Sequence, residues 1–209
     1  MPNIFNDGPW PGLITWMLLY ISDYYLTISG ARLYRSGPNQ KIVYEGSYEL
    51  TPYFQRDIDA LRRISPRFFA MLVIFGSLLV LVWHLASADT PQLYQVVLGA
   101  SILMQLAIHT RHLRNRFIFR EIKKEPDAVR GRIEYSRAFI LRASSHELFV
   151  FAAFFLCLFI VTQSWLFAGG ALAGVAAGAK HLRLVRKLSA GQAGAKQHTS
   201  VESVGPTQS

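Results

Sequence analysis

The placement of positive charge leaves this chain few ways to fold. All 22 Lys and Arg fall in three blocks, seven at positions 32–67, ten at 111–142 and five at 180–196. The stretches between these blocks are apolar, and the remaining polar connections, at 1–9, 87–92 and 162–164, carry neither Lys nor Arg. Basic residues that recur only at alternate ends of apolar runs mark a chain threading a bilayer, because cytoplasmic loops retain Lys and Arg. The chain therefore reads as an all-α membrane protein, a five-span helical bundle of the plasma (inner) membrane. Its amino terminus is expected outside and its carboxyl terminus in the cytoplasm.

Composition points the same way. At 209 residues, with 51% hydrophobic and 17% charged residues, the chain is too apolar for a soluble domain of its size and too short for several domains. The net charge of +9 by itself would suit nucleic acid. A nucleic-acid surface would not confine its charge to alternate ends of apolar runs, so that partner is excluded. The expected partners are the bilayer itself, with anionic lipids at the basic face, and further copies of the chain or other subunits of a membrane complex. Residues 1–10 lack the positive region of a signal peptide, so the first apolar run is expected to stay as a span. Cys157, in an apolar run, is expected to be a small core residue.

The expected spans are 12–32, 67–86, 92–111, 145–163 and 165–184, within a membrane domain of 1–188. Cytoplasmic loops occupy 33–66 and 112–144, and the Gly- and Ser-rich tail at 189–209 is expected to be disordered. The last two spans are short enough that a re-entrant hairpin is the alternative, with the tail on the same side. In the first loop, Ser36, Gly37, Pro38 and Asn39 predict a turn, and residues 41–45 a short strand. Thr51 and Pro52 then cap a helix through Ile64. Phe54, Ile58 and Leu61 share one side of it, so it is expected to lie as an amphipathic helix in the membrane interface. Ser65 and Pro66 start the second span, and Ser144 with Glu147 form a capping box for the fourth. Gly170, Gly174 and Gly178, four apart, predict a helix face that another helix approaches closely.

The two loops echo each other. Gly46, Glu49, Thr51 and Phe54 recur 85 residues later as Gly131, Glu134, Ser136 and Phe139. This suggests a parallel repeat of two helical hairpins followed by a fifth helix. The loops are then expected to pack as one cap, tied by pairs such as Glu45 or Glu49 with Arg130 or Arg132.

Candidate site residues follow from polarity in the wrong place. Asp23 is the one ionisable residue well inside a span, and an intramembrane carboxylate is a functional candidate by default. Tyr20, Asp23, Thr27 and Gly30 share a helical face, as do Ser101, Gln105, His109, His112 and Arg116 on the third span. Polar stripes of two parallel helices are thus expected to meet, with Asp23 bonded to Gln105 as the structural alternative. At the inner ends, Asn115, Glu134, Arg137, His146 and His181 complete the candidate ligand contacts. No metal is assigned, His109, His112 and His146 being the only weak candidates, because no HExxH, histidine box or Cys pair is present. The sequence names no cofactor. The functional expectation is a multi-pass protein that binds or passes a small anionic or lipid-like ligand through a cytoplasmic Arg and His cluster. The alternatives are a membrane enzyme acting on a lipid at the cytoplasmic face, with His109, His112, His146 and Glu134 or Glu147 as acid–base or metal residues, and an accessory subunit of a membrane complex.

Overall fold

The computed structural model describes residue 5 and residues 7–46, 52–86 and 88–202, with side chains left aside at 52 and from 191 onward. Among the described residues six α-helices carry the fold: α1 (Pro9–Arg35), α2 (Pro52–Asp59), α3 (Pro66–Ala86), α4 (Pro91–Lys124), α5 (Arg137–Thr162) and α6 (Trp165–Glu202). Two three-residue strands, β1 (Ile42–Tyr44) and β2 (Ile133–Tyr135), pair in parallel, with Ile42 opposite Ile133 and Tyr44 opposite Tyr135. Among the described residues three helices are long and apolar enough to cross a membrane, α3, α4 and α5. The most apolar window of α3 has a mean hydropathy of 2.4 with only 17% of it buried inside the protein. Such a surface is costly in water and stable in hydrocarbon.

Contacts along the helices fix their directions. Ser22, Thr27 and Ser29 of α1 meet His109, His112 and Arg116 of α4 in the same order, so these two helices run parallel. Gly99 of α4 lies against Leu166 of α6, and Gly170 against Leu103, a second parallel pair. Gly174 and Gly178 of α6 lie against Ala152 and Phe149 of α5, which runs the other way. The close approach expected for the Gly170, Gly174 and Gly178 face is therefore made within the chain, to α5 and α4. At Gly99 and Gly169 the helices α4 and α6 approach so closely that a Cβ on either would run into the backbone of the other.

The strand pair binds the two loops. Ile133 N–H donates to Lys41 O at 2.8 Å, and Glu45 N–H donates to Tyr135 O at 3.0 Å. Two short strands alone are marginal. These rest on Phe119 and Ile122 of α4, which with Ile42 form a small buried cluster edged by Tyr34, Tyr44 and Tyr135. The two loops thus pack as one cap through backbone pairing, and among the described residues Glu45 makes no ion pair with Arg130 or Arg132. Glu45 accepts from the backbone N–H of Arg137 at 2.8 Å, while Arg132 pairs with Glu134 in its own loop at 2.7 Å. Glu49 and Thr51 lie outside the described residues.

Several boundaries differ from expectation. The α2 helix stops at Asp59, not Ile64, and Leu61 takes a left-handed φ of 50°. Pro66 disfavours helix in the residue before it, so the chain must leave α2 and start α3 afresh. Ser65 caps α3 as expected, accepting from Phe68 N–H at 3.3 Å. The apolar side of α2 is spent inside the protein, where Ile58 is buried against Tyr24, Ile28 and Phe68, with Phe54 and Leu61 alongside. It is a connector packed against α1 and α3. The α5 helix begins at Arg137 under Ser136, whose hydroxyl accepts from Phe139 N–H at 3.2 Å. No residue of 137–143 breaks a helix, so Ser144 and Glu147 fall in its second and third turns and form no capping box. The α6 helix continues through Glu202, into the stretch expected to be disordered, its Ala residues favouring helix. Cys157 is exposed on α5 and not part of the core.

Candidate functional site

Helix α4 has two polar sides near the loop end of the bundle. The first faces α1. His109 Nε2 lies 2.5 Å from Ser22 Oγ, and its Nδ1 lies 2.7 Å from Gln105 O. One turn on, His112 Nε2 lies 3.1 Å from Thr27 Oγ1 and 3.4 Å from Asp23 Oδ1. The Thr27 hydroxyl already donates to Asp23 O at 2.9 Å, so the proton shared with His112 belongs to the imidazole. The opposite nitrogen, Nδ1, is buried with no hydrogen-bond partner among the described residues. Arg116 completes the row, donating to Ser29 Oγ at 2.8 Å. The two polar stripes do meet, with His112 against Asp23.

The second side faces α5. Arg111 donates to Ser144 Oγ at 2.6 Å, and Arg114 pairs with Glu147 at 2.9 Å. Arg114 is neutralised by that carboxylate. Arg111 is half-buried, and among the described residues no carboxylate forms an ion pair with it. A cation taken from water without a counter-charge is expensive, so its surroundings favour an anion.

Two cavities lie on either side of this row. The larger, about 330 Å³, sits between the strand pair, α4 and α5. Arg111, Arg114, Asn115 and Glu147 supply its polar lining, and Tyr44, Phe119, Tyr135 and Phe139 an aromatic wall. Tyr135 stacks between Tyr44 and Phe139, with ring centroids 5.9 and 5.4 Å away. The smaller, about 170 Å³, lies between α1, α2, α3 and α4 around Asp23, Thr27 and Gln105. Arg111 and His112 line both, so they form the partition between the two.

Asp23, Gln105 and His112 thus share the smaller cavity, and Asn115 and His112 line the larger. His109 and Arg116 hold α1 to α4 and line neither. Glu134 is exposed in its pair with Arg132, and Arg137 starts α5 at the edge of the cap. His146 is exposed, because Ser144, Ser145 and Leu148 take the buried side of α5 and leave position 146 outside. His181 is half-buried on α6 and lines neither cavity. The weak metal candidates do not gather: among the described residues no three His, Cys, Asp or Glu side chains come together as ligands. The ring nitrogens of His109 are engaged by Ser22 and Gln105, and His146 points away. Sequence reasoning missed Ser22, Ser29 and Ser144, whose hydroxyls receive α4, and the aromatic wall. The signals for that wall were Tyr135, which with Asn115 interrupts the basic loop in a way that suits a pocket, and the repeated Phe of the two loops, of which Phe139 lines the larger cavity.

Fold and site together define a helical protein with apolar helices of membrane-spanning length and a polar, two-chambered inner core. No family model matches the chain, and neither a curated protein nor a solved structure is significantly similar to it.

Proposed function

We propose that the chain is a multi-pass membrane protein that holds a small anionic or lipid-like ligand at its inner face, in the cavity between the strand pair, α4 and α5. The observation that carries this reading is Arg111, a half-buried cation whose hydrogen-bond partner among the described residues is the neutral Ser144, lining a cavity with an aromatic wall. A ligand with one negative charge and an apolar body matches both halves. The cavity is of the size used for small-molecule sites, roughly 300 Å³ and upward. Binding is favoured over acid–base chemistry because His109 is engaged in helix packing, Glu134 is exposed and Glu147 is paired.

In this reading α1 and α6 also cross the bilayer, giving five spans. Both run parallel to α4, and the polar residues of α1 are turned to α4, leaving Ile14, Leu18 and Tyr25 for lipid. The order helix, 3-10 turn, strand, helix occurs twice, through Pro38–Gln40 and β1 and again through Pro126–Ala128 and β2, which supports a parallel duplication. The matched glycines fit it less well, since Gly46 follows β1 and Gly131 precedes β2.

Native mass spectrometry of the protein in lipid nanodiscs tests the ligand. Phosphatidylglycerol is expected to stay bound on release from the nanodisc and phosphatidylcholine to be lost. Arg111→Gln should reduce phosphatidylglycerol retention about tenfold or more, the loss of one charge-assisted hydrogen bond of roughly 1.5 kcal/mol. Equal retention of the two lipids, or no effect of Arg111→Gln, rejects the reading.

A further inference from the structure

The lining of the larger cavity carries charge of both signs. Its ionised side chains are Arg111, Arg114 and Glu147. His112, which also lines it, is neutral, because a second proton would sit on Nδ1, an atom buried with no hydrogen-bond partner among the described residues. Arg114 and Glu147 are joined at 2.9 Å, so their charges largely cancel toward anything bound beside them. Arg111, bonded to the neutral hydroxyl of Ser144, keeps its charge for the ligand. Two positive charges and one negative leave the site a single unit of positive charge.

That remainder matches one class of anion. A ligand with one negative charge leaves the cavity neutral, whereas a dianion leaves an excess negative charge beside the Glu147 carboxylate, against aromatic walls that screen charge poorly. Among phosphates, a diester whose headgroup alcohol is uncharged carries one negative charge, and a monoester carries about 1.5–2 at neutral pH. Repelling the wrong partner gives specificity just as attracting the right one does. The apolar edge of the cavity decides between a lipid and a soluble ion. Ile118 of α4 and Phe139 of α5 line it and are 38% and 55% exposed, on two helices long and apolar enough to cross a membrane. An opening with such edges suits a headgroup whose acyl chains stay outside.

We propose that Glu147 is the selectivity residue of this cavity, restricting it to lipids with a monoanionic phosphodiester headgroup and rejecting phosphomonoesters. It does so by neutralising Arg114, which would otherwise give the site a second positive charge. This inference rests on the anionic ligand proposed above for the same cavity, and adds which anions are admitted and which side chain decides.

The test is native mass spectrometry of nanodiscs holding phosphatidylglycerol, phosphatidic acid and phosphatidylcholine in equal amounts at neutral pH. The wild type is expected to retain phosphatidylglycerol severalfold more than phosphatidic acid, the monoester. Glu147→Gln leaves two positive charges and should reverse that order. A bridge that merely held α4 to α5 would lower both lipids together on its loss, and that outcome overturns the proposal. Should Glu147→Gln not fold, Arg114→Gln and the double variant decide. Arg114→Gln leaves no net charge and should lose the preference for phosphatidylglycerol over phosphatidylcholine. Arg114→Gln with Glu147→Gln leaves one positive charge again and should regain the wild-type order, and its failure to do so overturns the proposal. Dimethyl phosphate in excess, a monoanionic diester without acyl chains, should not displace phosphatidylglycerol, and displacement would overturn the assignment to a lipid. Equal retention of phosphatidylglycerol and phosphatidic acid by the wild type, both above phosphatidylcholine, overturns this inference and leaves the anionic ligand standing. Equal retention of all three lipids rejects both.

Discussion

Asp57 is the residue on which the connection from α2 to α3 turns. It is 3% exposed, accepts from Ser65 Oγ at 2.5 Å through one carboxylate oxygen, and faces Arg62 Nη1 at 3.3 Å through the other. Ser65 in turn caps α3, so one buried carboxylate joins the end of α2 to the start of the most apolar helix. Hydrogen bonds to a charged group are worth about 1.5–3 kcal/mol, and a partner left buried adds its own cost. Asp57→Ala is expected to destabilise the protein by roughly 2–3 kcal/mol, and Asp57→Asn by less, because the amide oxygen still accepts from Ser65. Thermal melts in detergent check the order, and equal melting temperatures for wild type and Asp57→Ala would dismiss the role. Nothing in the spacing of Asp57 separated it from Asp59, which is half-exposed and pairs with Arg35 on the surface.

At the scale of elements, the packing of α6 is decided by glycine on both partners. A Cβ on Gly99 would run into Leu166 O, and one on Gly169 into Val96 O, backbone atoms that cannot turn aside. A Cβ on Gly178 would meet Phe149 Cε1 at 2.9 Å, a side-chain ring that has some freedom to shift. Gly99→Ala should therefore cost more stability than Gly178→Ala, with overpacking of about 1–3 kcal/mol at the former. Gly174→Leu should be at least as damaging as Gly99→Ala, since even its first carbon would sit 2.9 Å from Ala152 Cβ and 3.0 Å from Leu148 O. Melting temperatures in one detergent rank the three variants, and a Gly99→Ala protein as stable as wild type would mean that α4 and α6 are not held this closely. The polar tie on the same interface, Ser145 Oγ donating to Gly178 O at 2.9 Å, fixes the register of α5 against α6.

At the scale of the molecule, parallel α1, α4 and α6 bring the basic ends of three helices to the side where the strand pair closes the two loops. That arrangement fits a cytoplasmic cap, because Lys and Arg are retained on that side. Cysteine probes introduced at Asp7 or Ala88, in a Cys157→Ala background, are expected to react with an impermeant reagent from outside. Probes at Asn39 or Asp127 should react only after the membrane is opened. The reverse pattern would invert the orientation and put the larger cavity on the outer face.

The sequence alone was enough for the helical class, for the apolar segments and for the short strand at 42–44, because hydrophobic runs and turn residues act through neighbours in the chain. It also gave the meeting of the α1 and α4 stripes, since Asp23, Thr27, His109 and His112 lie at helical spacings that put each set on one face. Where α5 begins was not legible in this way: Ser136 and Ser144 are both competent caps, and only the docking of Ser144 on Arg111 and of Ser145 on Gly178 shows which hydroxyls are spent elsewhere. The parallel pairing of β1 with β2 joins residues 91 positions apart, and the two cavities draw their walls from up to four helices. Those features depend on which faces the helices turn to one another, a choice made by close packing between distant segments, and no local pattern of residues encodes it.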